Sequence, residues 1–259
     1  SPKKFNLLEL GAGNGEMIKV IIETLKNFPE CFLNCNFQIH EKSELLKKKQ
    51  QLNLKSEQIT WIKDIKISNS FPTIFLANEF FDALPIKQFL KKKEGWFERF
   101  VDLKDKKKAE FKEQPIDIKN IEHVLNFEIS KDQEIIEYSP GSFEYLKNVC
   151  NIINKYDGGI LIIDYGYLNF KMHETLQAIK NHKHSNILED IGDSDITYNI
   201  NFNLFKTFIN QFDDLNSMIC NQKKFLTSMG IIQRAEIISD NVPFSKKSDL
   251  FYRIRRLID

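Results

Sequence analysis

Five short apolar runs recur along this chain, and each carries an acid or amide at its carboxyl end. "FNLLEL" carries Glu9, "NFQIHE" Glu41, "QITWIKDI" Asp64, "PTIFLANEF" Asn78 and Glu79, and "GGILIIDYGY" Asp164. Helical patterns separate the early runs. After the first, Met17, Ile21 and Leu25 recur at four-residue steps with Ile18 and Ile22 beside them, while Lys19, Glu23 and Lys26 fall off that stripe. Ser43 is placed to cap a helix in "SELLKKKQQ". Strands alternating with helices imply βαβ units, and near-continuous runs such as "TIFLA" and "ILIID" suit parallel strands covered on both faces. The expected fold class is therefore α/β, a doubly wound, Rossmann-like parallel sheet with its ligand crevice at the strand ends. The polar strand ends then share one rim.

The alternation lapses twice. From about residue 87 to 138, "KQFLKKKEGWFERFVDL" reads as a hairpin turning near Glu94-Gly95, a charged stretch without periodicity follows from Lys104 to about Asn120, and "QEIIEY" supplies a third strand. This is an insertion on the crevice side of a single domain covering residues 1–259. From about 167 to 202 the chain reads as a long irregular lid. "PGSFEYLKNVCNIINKY" between them is a helix with Phe143, Leu146, Cys150 and Ile153 on one face.

Composition narrows the partners. With 37 basic and 36 acidic residues, no global attraction to nucleic acid is expected, and the "KKK" runs read as solvated faces. Four cysteines without CxxC spacing point to reduced thiols in a cytosol-like compartment. No apolar run reaches the roughly 20 residues that cross a bilayer. "HKH" at 182–184 lacks a third ligand at helical spacing, so no metal is expected.

The first strand hands over to its helix through "ELGAGNG", which places Gly11, Gly13 and Gly15 on alternate positions. A dinucleotide loop reads GxGxxG; here the third glycine arrives one residue early, and Glu16 would repel a pyrophosphate. No GK[ST] follows, which excludes a P-loop. An acid before bare backbone suits S-adenosylmethionine (SAM), which has an ammonium, a carboxylate and a sulfonium but no phosphate. Glu9 is the candidate for its amino end, and Gly11 and Gly13 for close approach. Glu41 is positioned to accept both ribose hydroxyls, and Asp64 to accept from the adenine amino group, with Ile65 or Trp61 on the ring. A tight turn without ligand remains the alternative for the glycines.

"LANEFFDALPIKQF" delivers Asn78 and Glu79 into the crevice beside the sulfonium position. Asp82 is one helical step further, so Glu79 and Asp82 can face the same space, walled by Phe80 and Phe81. Two carboxylates there can orient a guanidinium and offset its charge as a methyl arrives. The alternative is that Asp82 caps the next turn while Glu79 binds only cofactor.

"ELGAGNG", "IHEKSELLKKKQ", "LANEFFDALPIKQF", "LIIDYGY", "SDITYNINF" and "NQKKFLTSMGII" follow one another in the order seen in the MidA family of SAM-dependent methyltransferases. The chain resembles that family from about Phe5 to Arg234. The family occurs in mitochondria and bacteria and is related to a mitochondrial complex I assembly factor that dimethylates an arginine of a complex I subunit. The resemblance implies cofactor contacts at Glu9, Gly11, Gly13, Gly15, Glu41 and Asp64, with Glu79 and Asp82 at the reaction centre and Asp164, Tyr165 and Gly166 nearby. It places Asp195, Thr197 and Asn201 in the lid. It implies a protein substrate, such as a complex I subunit, methylated on arginine in a bacterial cytoplasm or a mitochondrial matrix. Against the family pattern the chain is expected to be trimmed at both ends, before the first strand and after "RIRRLID". A catalytically weak or inactive assembly factor that keeps the fold is the alternative.

Overall fold

The computed structural model describes residues 4–55, 57–65, 71–104, 108–181, 183–189 and 192–258. His182 of the "HKH" run and the first three residues lie outside that set. Backbone packing divides the chain into two compact units, residues 1–216 and 217–259.

The first unit begins with β1 (Phe5–Leu10), α1 (Glu16–Leu25), α2 (Pro29–Asn34), β2 (Cys35–His40), α3 (Glu44–Asn53), β3 (Ile59–Ile62) and β4 (Thr73–Asn78). After an insertion come α5 (Pro140–Tyr156) and β9 (Gly158–Ile163). All five strands are parallel, in the order β3-β2-β1-β4-β9. The chain leaves β1 toward β2 and β3, then returns to the other side of β1 as β4. That reversal between β1 and β4 is the switch point where such sheets hold ligands. All five strands expected from the apolar runs are present.

Side chains on alternate positions of β1 divide the core. Leu7 packs with Ile18, Ile22 and Leu54 on the face covered by α1 and α3. Leu8 and Leu10 face the opposite way, into a larger cluster with Phe75, Phe81, Phe143 and Leu146. Phe81 has no exposed surface. It belongs to this core and cannot wall an open crevice, which corrects the expectation for that residue. Phe80, its neighbour, is half-buried.

The insertion is a four-stranded antiparallel sheet, β7-β6-β5-β8, built from β5 (Lys87–Lys92), β6 (Gly95–Lys104), β7 (Lys108–Ile116) and β8 (Ile135–Tyr138), with α4 (Lys119–Leu125) before β8. The hairpin and its third strand are where the sequence put them. Strand β7 is not, because the charged stretch 104–120 had read as aperiodic. It pairs with β6 from Trp96–Ile116 to Lys104–Lys108, and ion pairs Lys92–Glu113 and Asp102–Lys112 hold it across the ladder. An edge strand needs only backbone pairing and benefits from charge, so it shows no apolar alternation.

The expected irregular lid also carries structure: β10 (Gly166–Tyr167), β11 (Gln177–Lys180), β12 (Lys183–Ser185), β13 (Asp195–Thr197) and β14 (Ile200–Asn201), followed by α6 (Phe202–Ile209). β11 to β13 form a small antiparallel sheet, and β10 pairs with β14. Buried Glu137 on β8 fixes the segment: it accepts from Gln88 Nε2 at 2.8 Å and from the Thr175 and Leu176 N–H groups at 3.0 and 3.2 Å. The second unit contains α7 (Gln222–Ser228), α8 (Ile231–Asp240) and α9 (Phe244–Ile258). Asn221 caps α7, and Gln222 Nε2 donates to the Leu257 carbonyl at 2.8 Å. Among the described residues no helix is long and apolar enough to cross a membrane.

Strand β9 enters the sheet at Gly158, whose φ of 128° brings its backbone against β4. A Cβ there would sit 2.0 Å from the Thr73 carbonyl oxygen, whereas one on Gly159 would meet nothing within 4 Å. Gly158→Ala is therefore expected to lower stability by at least about 2 kcal/mol, from backbone strain and displacement of β9, and Gly159→Ala by well under that. Urea titration of the two variants against the parent chain checks the difference.

Candidate active site

Period-two alternation puts Glu9 on the same face as Leu7, under the first turn of α1. Only 3% of Glu9 is exposed. Its carboxylate accepts from the Ile18 N–H, supplying the cap that Gly15, the N-cap residue, has no side chain to give. The Oε2 atom is buried and has no hydrogen-bond partner. Burial pushes the Glu9 carboxyl up to about 7.

The three glycines all have positive φ but do different work. A Cβ on Gly11 would lie 2.7 Å from the Phe80 ring, so that bare position is filled by protein. Gly15 is filled likewise by Leu54 of the α3 region, at 2.8 Å. Gly13 faces open space, with no heavy atom within 4 Å of a Cβ placed there. Of the three, it is the one with open space where a side chain would stand.

Beyond β2, half-buried Glu41 accepts from the Ser43 N–H at 2.8 Å through Oε1 and from Gln50 Nε2 at 3.0 Å through Oε2. Ser43 caps α3 as expected. A carboxylate has about four acceptor sites, so one on each oxygen remains for a ligand. Gln50, which the sequence reading passed over, also donates to the Gly13 carbonyl at 2.9 Å and accepts from Trp61 Nε1 at 3.0 Å. A polar residue at an inward position of a helix, four residues before Leu54, was the signal available. Asp64 is exposed beyond β3. Ile65, in contrast, is buried in the core and unavailable to an adenine ring.

On the other side of the switch point, Asn78 ends β4 exposed, and Glu79 follows with φ 46°, its N–H donating to the Ile163 carbonyl at 2.9 Å. Asp164 reaches across from the end of β9. Its Oδ2 accepts from the Phe81 and Asp82 N–H groups at 3.1 and 3.3 Å, and its Oδ1 from the Tyr165 N–H at 2.9 Å. Asp164 thereby ties down the turn that carries Glu79 and Asp82. Two of the three acids are shifted by burial and a neighbouring charge. Burial, then the charge of Asp82, pushes Asp164 up to about 7; burial, then the charge of Glu79, raises Asp82. Tyr198, whose N–H donates to the Asp82 carbonyl and whose hydroxyl meets Ser142 at 3.3 Å, closes the buried side. Of the residues expected in the lid, Asn201 is buried and caps α6, while Asp195 and Thr197 lie on the small outer sheet.

A family model for S-adenosyl-L-methionine-dependent methyltransferases matches residues 1–219. The chain belongs to that family. The Xenopus tropicalis protein named protein arginine methyltransferase NDUFAF7, mitochondrial, is 27% identical over 265 residues, covering 92% of this chain and 60% of that one. The human protein of the same name is 26% identical over 262 residues, covering 91% and 58%. The chain thus spans about 60% of the length of these relatives. In structure it matches a COG1565 superfamily protein from Burkholderia thailandensis with a TM-score of 0.81 at 19% identity, over 99% of this chain and 70% of that one. It matches a COG1565 member of the same organism bound to S-adenosyl-homocysteine with a TM-score of 0.79, also at 19% identity, over 99% and 68%. These likenesses establish the methyltransferase-type fold.

The buried Glu9 carboxyl gives a pH signature. Its folded pKa of about 7 lies above that of an exposed glutamate, about 4.3. Between those values the folded chain holds a proton that the unfolded chain has lost, so stability falls as pH rises through that window. Glu9→Gln removes this loss. Relative to the parent, the variant should gain stability progressively from pH 5 to pH 8, by up to about 3 kcal/mol. Thermal melts at stepped pH measure the gap; a constant gap would contradict the assignment.

Proposed function

We propose that residues 1–216 form the catalytic unit of a SAM-dependent protein-arginine N-methyltransferase. The observation that carries the reading is the cluster of Glu79, Asp82 and Asp164 at the switch point, one strand away from the open main chain of Gly13. The residues on the β1–β2 side fit the cofactor. The partnerless Glu9 Oε2 suits a cationic amino end, Gly13 admits close approach, the two unused acceptor sites of Glu41 match a pair of ribose hydroxyls, and Asp64 can accept from the adenine amino group. Asn78 stands where β4 meets the methionine end. When bound, SAM supplies an electrophilic methyl group and leaves as S-adenosylhomocysteine.

The acid cluster does the rest. Glu79 and Asp82 would orient the planar guanidinium through paired hydrogen bonds and so present one nitrogen to the methyl donor. A methylated guanidinium nitrogen must release a proton. Asp82, whose pKa is raised by burial and by the charge of Glu79, is suited to take it. Asp164 holds the turn so that this geometry is set before substrate arrives. The substrate that the family resemblance supports is a respiratory complex I subunit or a similar protein, in a mitochondrial matrix or a bacterial cytoplasm.

Transfer of labelled methyl groups from SAM to candidate proteins tests the proposal, with acid hydrolysis to identify the modified residue. Label in methylarginine is expected, and Glu79→Gln and Asp82→Asn should each lower kcat by about 100-fold or more with S-adenosylhomocysteine affinity within about threefold of the parent. Binding without any transfer would instead favour a factor that keeps the fold without catalysis. Label confined to lysine or to a small molecule would overturn the arginine assignment.

A further inference from the structure

We infer that Gln50 is a positioning residue for the cofactor's ribose, acting by clamping Glu41 and tying it to the Gly13 carbonyl. The inference rests on the reading of Glu41 as the ribose acceptor. Gln50 sits on α3 with no exposed surface, on the face of the sheet whose apolar cluster includes Leu54, Ile18 and Ile22. An amide at such a depth is retained only with its hydrogen bonds made, and here three are made. Trp61 Nε1–H is a donor only, so the atom facing it at 3.0 Å must be the amide oxygen. That fixes the orientation of the group. The amide nitrogen then has to point at the Gly13 carbonyl, at 2.9 Å, and at Glu41 Oε2, at 3.0 Å.

One NH2 group thus spans the two halves of a ribose-facing cradle. Its bond to the Gly13 carbonyl draws that oxygen toward α3 and away from the open side of the glycine loop. Its bond to Glu41 stops the carboxylate from rotating; the Ser43 N–H holds the other oxygen at 2.8 Å. With both oxygens clamped, the carboxylate's remaining acceptor sites have fixed directions, which is what recognition of two adjacent hydroxyls needs. A glutamate at position 50 would keep the shape but turn an acceptor toward two acceptors. A methionine would keep the volume and make none of the bonds.

The test compares affinity for S-adenosylhomocysteine with affinity for its 2′,3′-dideoxyribose analogue, by calorimetry, in the parent chain, Gln50→Met and Gln50→Glu. Loss of a hydrogen bond to a charged group is worth about tenfold or more in affinity. The parent is expected to favour the natural ligand over the analogue by at least that ratio. Both variants should bind the natural ligand about tenfold more weakly and the analogue nearly as the parent does, so that the ratio collapses toward one. A role confined to stability would lower the melting temperature and leave the ratio intact. A parent that discriminates while both variants discriminate equally overturns the inference and leaves the Glu41 reading standing. A parent that binds both ligands alike overturns the Glu41 reading, and the inference with it.

Discussion

Strand β1 is paired along both edges, with β2 from Phe5–Cys35 to Leu10–His40 and with β4 from Asn6–Thr73 to Leu10–Ala77. Everything at the site depends on that double pairing. Because the chain must travel outward through β2 and β3 before returning as β4, the connections on the two sides of β1 leave in opposite directions. The crevice opens between them. The glycine loop after β1 and the Asn78–Glu79 end of β4 are thereby brought side by side although more than sixty positions separate them. The Gly11 N–H, donating to the His40 carbonyl at 3.0 Å, extends the pairing one residue past the strand and sets the angle at which the loop departs.

The second constraint is electrostatic. Glu9, Asp82 and Asp164 are carboxyls withdrawn from water with little positive charge to compensate them, and each has a raised pKa as a result. In the chain alone this is unfavourable. Positive charge brought close to them would offset that cost. The chain is therefore less stable by itself than its core would permit, and the deficit is concentrated where positive groups would bind. Asp164 shows how such a group is tolerated. Three backbone N–H groups feed its two oxygens, and a residue that began as a strand-end acid becomes the anchor of the neighbouring turn.

What the sequence made legible follows from periodicity and from chemistry repeated at equivalent positions. The parallel strands announced themselves as apolar runs, and their polar ends fell on one rim because parallel strands all point the same way. The small antiparallel sheet was half legible. β5 and β8 contain buried side chains and β6 carries a half-buried aromatic arm, whereas β7 is held at the edge by main-chain pairing and cross-strand charge that no apolar pattern records. At the site, residue types were readable but their depths were not. Phe80 and Phe81 look alike in sequence, yet one rests on the glycine loop and the other is sealed in the core. Gly11 and Gly13 look alike too, and only the fold shows that protein fills the space beside one and leaves the other open. Gln50 was hidden for a different reason. Among lysines and glutamines on a charged helix, only its four-residue spacing from Leu54 marks the one that turns inward.

The two sides of the crevice have separate anchors. On the β1–β2 side Gln50 and Ser43 clamp Glu41; on the β4–β9 side Asp164 holds the Phe81 and Asp82 N–H groups, and the Ile163 carbonyl holds that of Glu79. The group that joins them is Phe80. Its ring covers Gly11 and meets Tyr145 edge-on at 5.0 Å, and the Tyr145 hydroxyl lies 2.7 Å from His40 Nε2. The other ring nitrogen of His40 is 3.3 Å from the Ile62 carbonyl, which can only accept, so Nδ1 carries the proton and Nε2 accepts from the tyrosine. Burial lowers the pKa of His40 and keeps this neutral tautomer in place. A chain of contacts from β3 through His40, Tyr145 and Phe80 thus ends on the glycine loop. Phe80 is next to Glu79 in sequence, so any shift of the acidic turn that moved this ring would be felt at Gly11. One aromatic side chain thus links the acidic turn after β4 to the glycine loop after β1, and its ring fills the space beside Gly11.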